Sequence, residues 1–443
     1  MTKKALLADM ILPLDPQDQI LQNGYILLED DKIIALGEQK DLKAEPGLEK
    51  IDLGARLLMP GLVNAHAHTP MVLFRGQAEG ISLFTMEGFI NCLRRLESAM
   101  DESMVAAAVE VSCAEMIRTG TTTFVDQYFY MKEIVPVVKK SGMRAVLGYG
   151  IVELGDPENR SREIDSATKF LEDLEANPLV TGWVGPHAFF VDNSEEVIKL
   201  ELDLAKKFDA GLHIHMATNW EEEEYCQEKY GTSAVVQMEK LGILEFPLIA
   251  AHCITIPEKD FPTLAKNPFT AAICPSASMR SGFPAAPLLA MRQAGVNTAL
   301  GTDNVANANS YDLFTEMHVA AKLMTNREKT PGAIPARDIL DMATMGGARA
   351  IGMQDKIGSL EPGKQADIIA LDLNEIGWGP LGAQDIYTAL VYSISGMHVT
   401  DVMVDGNWLY RNNNWKTVDH QKANQTMNAD FAKLKKRLPP LEQ

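Results

Sequence analysis

The sequence predicts a (β/α)8 TIM barrel of the α/β class, with a small discontinuous β-sandwich domain built from both chain ends. Between about residues 57 and 304, eight short runs of β-branched and small residues alternate with longer helical patterns. These runs are apolar enough to be buried on both faces, as the strands of a parallel sheet are. Both flanks instead show short strand-like runs separated by turn signals.

The eight runs fit one barrel, because a (β/α)8 barrel typically takes about 250 residues. The helical patterns between them have recognisable ends: in the first, Asp101 suits the N-cap and Gly120 suits the position after the C-terminus. A doubly wound open sheet is the alternative, but no glycine-rich phosphate loop follows any strand. The predicted strands are LLMPGLVNAHAH, TTTFVDQY, MRAVLGYGIV, VTGWVGPHAFF, AGLHIHMAT, PLIAAHCI, FTAAICPSA and NTALGTDN.

The chain is predicted to divide into three parts. Residues 1–56 and 356–411 combine into the composite β-sandwich domain, since strand-like runs such as GYILLEDDKIIALG and KQADIIALDL occur at opposite ends. Residues 57–355 form the barrel, and residues 412–443 form a C-terminal turn and helix.

Composition excludes several classes of function. The 443 residues carry a formal net charge of -19, and a strongly acidic chain is unsuited to binding nucleic acid, which needs clustered Lys and Arg. The apolar patch at the N-terminus is interrupted by Asp9 and Pro13, so we expect neither a signal segment nor a membrane span. Five cysteines without a CxxC pair favour reduced thiols and a cytoplasmic location.

Two histidines follow the first predicted barrel strand, in the stretch PGLVNAHAHTP. Residues i and i+2 of a strand point to the same face, so His66 and His68 would both project from the C-terminal end of this strand. An isolated HxH is also compatible with two unrelated, partly buried histidines near a turn.

Other strand ends favour a metal site over that alternative. The fifth strand ends in His213-Ile214-His215, the sixth in His252 and the eighth in Asp303, and active sites of barrels form at these ends. Three or four imidazoles and one carboxylate around one cavity suit Zn²⁺ or another first-row divalent ion with a position open for water.

The motifs PGLVNAHAH, HIH, AHC and GTD, in this order, resemble those of the amidohydrolase superfamily. Within it, the chain is most similar to the methylthioadenosine/S-adenosylhomocysteine deaminases and the related triazine hydrolases. The resemblance covers nearly the whole chain and includes EMIRTGTTTFVDQY, GPHA and IGSLEPGKQADIIALDL.

The resemblance implies roles for particular residues. One divalent ion, Zn²⁺ or else Fe²⁺ or Mn²⁺, would be bound by the residues that match the family's ligands. His213 matches a position that is usually not a ligand, so it would belong to the core or contact a ligand without binding the ion. Asp303, His252 and His187 would be catalytic, with Asp303 carrying a proton and His187 contacting substrate near the leaving group. Glu97 resembles a glutamate that binds ribose hydroxyls. The implied metal ligands are His66, His68, His215, His252 and Asp303.

The chemistry of such a site is hydrolytic. A divalent metal lowers the pKa of bound water from near 16 to roughly 7, and Asp303 would accept the released proton and return it to the departing group. Attack at an electron-poor ring carbon with loss of ammonia is deamination. Loss of another group would be a different hydrolysis at the same site.

The chain departs from the deaminase pattern at several positions. A glutamate that protonates the ring nitrogen follows the strand-five ligand by three residues in those enzymes, whereas Thr218 stands here and cannot supply that proton near neutral pH. One of the glutamates at 221–224 would reach back to the site if the loop folded inward, but the expected arrangement is the solvated first turn of a helix, so no substitute is assigned. Tyr149 replaces an arginine of some relatives, and we include Thr218 and Tyr149 with Glu97 and His187 as candidate substrate contacts.

We therefore expect a metal-dependent aminohydrolase that cleaves a C–N bond of a cyclic amidine. The substrate expected from the resemblance is 5-methylthioadenosine, S-adenosylhomocysteine or a related aminopurine, and the expected assembly is a homo-oligomer, a dimer or a tetramer. One alternative is hydrolysis of an s-triazine or another amino-substituted heterocycle with a different leaving group. A second is a catalytically degenerate barrel that acts as a binding protein, suggested by Thr218 alone.

Overall fold

The computed structural model describes residues 3–380 and 385–439, and one of the two sheets in these ranges is the predicted barrel. Eight parallel strands pair with their sequence neighbours throughout, each joined to the next by helical segments. Each of the eight predicted runs contains one of these strands. The barrel strands are Leu62–Ala67, Thr121–Tyr128, Arg144–Ile151, Val180–Pro186, Leu212–Met216, Leu248–His252, Phe269–Ile273 and Asn297–Leu300.

The barrel closes where the chain beyond the eighth strand reaches the first. The backbone N–H groups of Thr302 and Asp303 both donate to the carbonyl oxygen of His66, at 3.1 and 3.0 Å. Ala67 and Asp303 form a parallel bridge at the same place. Closure therefore brings the acidic residue after the last strand directly beside the first histidine motif.

The first predicted run is two strands rather than one. Arg56–Pro60 pairs with strands of the second sheet, whereas Leu62–Ala67 belongs to the barrel. The chain passes between the sheets at Gly61, where an added Cβ would lie only 2.2 Å from the Thr122 side chain. Only glycine allows this close approach without displacing the second barrel strand.

Both ends of the chain meet in the second sheet, as predicted. It is a mixed sheet of nine strands with its own apolar core, in which Leu6, Ile26, Leu58 and Ile368 are buried. Its strands are Lys3–Ile11, Leu21–Glu29, Lys32–Glu38, Glu49–Asp52, Arg56–Pro60, Ile368–Asp372, Val399–Val404, Asn407–Arg411 and Asn414–Trp415.

A buried ion pair joins the two sheets. Arg144, the first residue of the third barrel strand, lies 3.1 Å from Asp367 and 3.4 Å from Asp405. The Arg144 side chain is 4% exposed, and Asp367 and Asp405 come from the C-terminal part of the second sheet. Because the charges are desolvated, each depends on its partner.

Helices surround the barrel, and the one predicted from the first helical pattern is Val105–Arg118. Asp101 accepts a hydrogen bond from Ser103 N in the turn that leads into it, and Gly120 follows it with a φ of +86°.

In the described ranges, no helix is both long and apolar enough to cross a membrane. The α-helices are Met86–Gly88, Arg95–Ala99, Val105–Arg118, Met131–Ser141, Pro157–Asp173, Glu195–Phe208, Glu221–Tyr230, Ala234–Lys240, Phe261–Leu264, Pro275–Arg280, Leu288–Gln293, Leu313–Glu328, Ala336–Met342, Met345–Ala350, Ile386–Tyr392 and His420–Arg437.

Shorter helical turns complete the connections. Phe89–Arg94 is a π-helix between two α-helical turns. The 3-10 turns are Gln39–Asp41, Thr69–Phe74, Glu102–Met104, Ile243–Glu245, Glu258–Asp260 and Gly396–His398.

Candidate metal centre

Four side chains from distant parts of the sequence converge at the C-terminal end of the barrel. They are His66, His215, His252 and Asp303, each of which offers one nitrogen or oxygen atom, and these atoms all lie within 4.8 Å of one another. The three histidines end the first, fifth and sixth strands, and Asp303 follows the eighth. Because all strands are parallel, their C-terminal ends share one rim of the barrel.

His68 joins this cluster from the first strand. Its Nε2 atom lies 3.2 Å from His215 Nε2 and 3.4 Å from Asp303 Oδ1. The structure thus brings together all five side chains that the sequence suggested as metal ligands.

Hydrogen bonds orient the imidazoles so that their Nε2 atoms face one another. The Nδ1–H of His68 donates to the Gln127 carbonyl at 2.7 Å, and that of His215 donates to the His187 carbonyl at 3.0 Å. His66 Nδ1 lies 2.7 Å from His213 Nε2. A proton fixed on Nδ1 leaves the Nε2 lone pair available for a cation. His213 therefore contacts a candidate ligand and is not itself in the cluster.

Several buried atoms of the cluster have no hydrogen-bond partner within residues 3–380 and 385–439. They are His66 Nε2, His252 Nδ1 and Asp303 Oδ2. Buried polar atoms are rarely left unpaired, because each carries a desolvation cost of about 1–3 kcal/mol. A divalent cation would satisfy Nε2 and the carboxylate oxygen together, so the donor set fits such an ion.

The charge states of His66, His252 and Asp303 suit metal binding. Burial lowers the pKa of His66 to about 4 and that of His252 to about 3, so both rings are neutral at pH 7. Burial acts to raise the pKa of Asp303, but its contacts with His66 and His68 outweigh this and lower the pKa well below its usual value. Neutral imidazoles and an ionised carboxylate are the forms that bind Zn²⁺.

Left-handed backbone conformations cluster where the strands end. The φ angles are +49° at Ala217, +76° at His252, +53° at Cys253 and +59° at Asp303. Non-glycine residues rarely adopt this conformation, and it costs about 1–3 kcal/mol each. Such strain concentrates at functional sites, because there side-chain position matters more than stability.

A cavity opens beside the cluster, and aromatic rings form part of its wall. The Phe84 ring lies 4.6 Å from the His252 ring, and the Phe89 ring lies 5.3 Å from the His187 ring, between centroids. Phe129 and Val152 extend the apolar surface. Flat apolar side chains beside hydrolytic groups suit a planar heterocycle.

Three of the four suggested substrate contacts line this cavity, namely Glu97, His187 and Thr218. Glu97 forms an ion pair with Arg94 at 3.0 Å, and Arg94 lies over the Phe129 ring at 5.7 Å from its centroid. The cavity is therefore lined by a charged pair as well as by residues of the histidine cluster.

Tyr149 lies elsewhere. Its hydroxyl donates to Glu163 at 3.0 Å, and it is not among the described residues that line the cavity, although its neighbour Gly150 is. Successive strand residues point to opposite faces, so Gly150 faces the cavity and Tyr149 faces the helix Pro157–Asp173. The structure does not bring Tyr149 to the site.

The sequence did not reveal what holds His187. Its Nδ1 atom is in hydrogen-bond contact with Asp192 Oδ2, and Asp192 Oδ1 accepts a hydrogen bond from Ala188 N at 3.1 Å. A carboxylate on Nδ1 fixes the ring orientation and leaves Nε2 as the second functional atom. The spacing of five residues between His187 and Asp192 carries no helical or strand signal that would have predicted this contact.

The expectation of a fully solvated acidic turn is wrong for Glu222. The helix begins at Glu221 as expected, and Glu221 and Glu224 are exposed, but Glu222 is only 3% exposed and lines the cavity. Its carboxylate accepts a hydrogen bond from Ala217 N at 2.6 Å. The left-handed turn at Ala217 directs that N–H toward the helix, a feature that sequence patterns do not show.

Comparison with known proteins gives the family. The model of the amidohydrolase family matches residues 57–409. A 5-methylthioadenosine/S-adenosylhomocysteine deaminase of Caldanaerobacter subterraneus is 34% identical over 92% of this chain and 93% of its own length. A 5'-deoxyadenosine deaminase of Methanosarcina acetivorans is 34% identical over 93% of this chain and 94% of its own.

A solved structure agrees in fold over the same extent. The adenosine deaminase of Xanthomonas campestris with bound zinc superposes with a TM-score of 0.90 at 27% identity, covering 98% of both chains. The resemblance inferred from the histidine motifs is therefore confirmed. The family model matches residues 57–409, and the two deaminases align with 92% and 93% of this chain. This chain therefore belongs to the amidohydrolase family.

Proposed function

We propose that the protein is a metal-dependent aminohydrolase that deaminates a nitrogen heterocycle. The observation that carries this proposal is the convergence of His66, His215, His252 and Asp303 beside a cavity that His187 also lines. Relatives of about one-third identity, named as deaminases, support the reaction type. The expected substrate class is 5-methylthioadenosine, S-adenosylhomocysteine or a related aminopurine nucleoside.

The proposed metal is a single Zn²⁺ bound by the histidine cluster and Asp303. Neutral imidazoles with one carboxylate are a typical zinc donor set, and the Xanthomonas relative contains zinc. Fe²⁺ and Mn²⁺ accept the same donors, so measurement of metal content distinguishes the three. When bound, the ion would supply Lewis-acid activation of water at neutral pH.

Asp303 is proposed as the proton carrier. Its carboxylate stays ionised near neutral pH, because its contacts with His66 and His68 lower its pKa, and it can accept a proton from water. Asn304 Nδ2 donates to Asp303 Oδ1 at 3.0 Å, which fixes that oxygen and leaves Oδ2 without a protein partner. A proton held on Oδ2 can then pass to the departing amine.

His187 and His252 complete the proposed reaction site. His187 is held through Nδ1 by Asp192, so its Nε2 can contact the group at the attacked carbon. The His252 ring lies against Phe84, so this member of the histidine cluster also contacts the apolar wall.

Substrate binding is proposed to use the aromatic side chains and the polar side chains of the cavity wall. The aromatic wall formed by Phe84, Phe89 and Phe129 would stack on the heterocycle. Glu97 would accept hydrogen bonds from the ribose hydroxyls. Thr218 would contact the heterocycle through its side-chain hydroxyl. The structure offers no reason to keep Tyr149 in this set.

A substrate panel tests the proposal. Metal-loaded protein is incubated with 5-methylthioadenosine, S-adenosylhomocysteine, adenosine, guanine and chloro-s-triazines, and release of ammonia is followed against release of chloride. Ammonia from a 5'-substituted adenosine is the expected result. Chloride release alone would favour triazine hydrolysis, and absence of any product would favour a degenerate binding protein.

We further propose a cytoplasmic location and a homo-oligomeric assembly. The five cysteines are all buried and unpaired, which suits a reducing compartment. The assembly rests on the family resemblance, and light scattering of the purified protein tests it.

A further inference from the structure

A buried carboxyl group lies in the cavity wall close to Thr218, the position at which a proton-donating glutamate was expected. Glu222 is in the first turn of the helix Glu221–Tyr230 and lines the same cavity as Thr218. It is buried, whereas Glu224 of the same turn is exposed. Burial of a carboxyl group is costly unless the group is neutral or well bonded, so its place here calls for a physical reason.

One oxygen of this carboxyl group is anchored. Glu222 Oε2 accepts a hydrogen bond from Ala217 N at 2.6 Å. The Ala217 carbonyl in turn accepts hydrogen bonds from Ile254 N at 2.9 Å and from Thr255 N at 3.1 Å, both beyond the sixth barrel strand. The carboxyl group is therefore fixed to a backbone turn that two strand ends hold in place.

The other oxygen is free to act. Glu222 Oε1 is buried and has no hydrogen-bond partner in the described parts of the chain. An unpaired buried oxygen of this kind is rare in native structures unless a ligand, water or ion contacts it. Since the residue lines the cavity, a bound heterocycle is the partner that the geometry provides.

The carboxyl group carries its proton at neutral pH. Burial raises the pKa of Glu222 to about 8, against the opposing effect of the Ala217 N–H. The nearby Glu223 and Asp192 carboxylates raise it further, because a second negative charge is disfavoured. Glu221, its exposed neighbour, lines the same cavity, and two buried thiols near it, Cys226 and Cys253, have pKa values that burial raises.

We propose that Glu222 is the general acid of the reaction and protonates the heterocycle nitrogen beside the attacked carbon. It thereby performs from the helix the task for which Thr218 lacks a carboxyl group. This inference rests on the proposed deaminase function and names the residue that completes it. It also explains why the departure at Thr218 is compatible with catalysis.

The proton balance of the reaction is complete with this residue. Glu222 gives its proton to the ring nitrogen as the C–O bond to water forms, and Asp303 takes one proton from that water. Asp303 passes this proton to the amino group, the C–N bond breaks and ammonia leaves. The remaining hydroxyl proton is released as the carbonyl forms and restores Glu222, so water is the only co-reactant.

A purely structural role is the alternative, in which Glu222 only anchors the turn at Ala217. Glutamine at this position keeps an oxygen that can accept the Ala217 N–H but has no proton to donate at any pH. The two roles therefore separate in Glu222→Gln, with Glu224→Gln as the matched control, since it makes the same side-chain replacement at an exposed residue of the same turn.

The expected result is a fall of at least about 100-fold in kcat for Glu222→Gln, with metal content and melting temperature close to wild type. Glu224→Gln should keep wild-type kcat. The kcat/KM of the wild type should fall as pH rises through about 8, because the donor must be protonated. The kcat/KM of Glu222→Gln should not show this fall near pH 8. The double variant Thr218→Glu with Glu222→Gln should recover activity.

Two results would overturn the inference. One is an unchanged kcat in a folded Glu222→Gln, and the other is a fall of kcat/KM near pH 8 in this variant that equals the fall in the wild type. If Glu222→Gln does not fold, the double variant and the wild-type pH profile decide the matter. Wild-type turnover of the nucleoside panel is measured alongside. If the wild type deaminates no heterocycle, the proposed function fails, whereas an active wild type with an equally active variant refutes only the role of Glu222.

Discussion

The Nδ1 atom of His66 lies 2.7 Å from Nε2 of His213, and both rings are fully buried. This contact orients the His66 ring so that its Nε2 atom faces Asp303, 3.5 Å away. The pair explains why the fifth strand carries two histidines of which only His215 joins the metal cluster. His213 acts on the site through another histidine.

Loss of this contact is predicted to weaken metal binding. His213→Gln should lower metal affinity about 10- to 100-fold. Loss of a residue that hydrogen-bonds to a metal-binding histidine typically has an effect of this size. Titration with a competing chelator measures the change. His318→Gln, in the helix Leu313–Glu328 away from the cluster, should leave affinity unchanged. Equal affinity in wild type and His213→Gln would show that the contact does not orient the ligand.

Asp192 is predicted to act as a positioning residue for His187. Asp192→Asn should lower kcat by about 10- to 100-fold and alter the pH profile, because the imidazole loses the charge that fixes its orientation. The metal content should not change, since Asp192 contacts no ligand of the cluster directly. Asp203→Asn, an exposed acid on the helix Glu195–Phe208, is the control. An unaltered pH profile and kcat would contradict this role.

Glu97 is predicted to recognise the sugar rather than the ring. Glu97→Gln should lower kcat/KM about 10- to 100-fold for a nucleoside, since hydrogen bonds to a charged group contribute about 1.5–3 kcal/mol. The corresponding free base should be affected much less. Steady-state kinetics with both substrates gives the ratio, and Glu102→Gln, which is exposed, is the control. An equal loss for base and nucleoside would place Glu97 at the ring.

The buried ion pair between the sheets is predicted to matter for stability. Arg144→Met leaves the buried Asp367 and the half-buried Asp405 without their cation and should lower the free energy of unfolding by about 3–5 kcal/mol. Urea denaturation measures the change. Lys169→Met breaks an exposed pair with Asp173 and should cost less than about 1 kcal/mol. Similar losses in both variants would mean that the Arg144 pair adds no special stability.

The fold and the convergence of the histidines with Asp303 could be predicted from the sequence for one physical reason. In a parallel barrel, all strands end at the same rim, so histidines at strand ends must be neighbours wherever they lie in the chain. This places His66, His215 and Asp303 together without any knowledge of the loops. The alternation of side chains along a strand also gives the opposite orientations of Gly150 and Tyr149, and applying it would have removed Tyr149 from the site.

The loop-borne part of the site could not be predicted in this way. Glu222 is buried because the backbone at Ala217 is left-handed and directs its N–H toward the helix. Four successive glutamates give no sign of which one faces inward, since a solvated acidic first turn has the same sequence. The contact of Asp192 with His187 similarly depends on the path of a turn, which has no periodic pattern.

Metal content is the most direct test of the central claim that His66, His68, His215, His252 and Asp303 bind one cation. Elemental analysis and anomalous scattering of crystals of the purified protein are predicted to give one divalent metal per chain at this cluster, and His215→Ala is predicted to remove both metal and activity. A protein that keeps full activity after exhaustive chelation, with no anomalous peak among these residues, would contradict the claim.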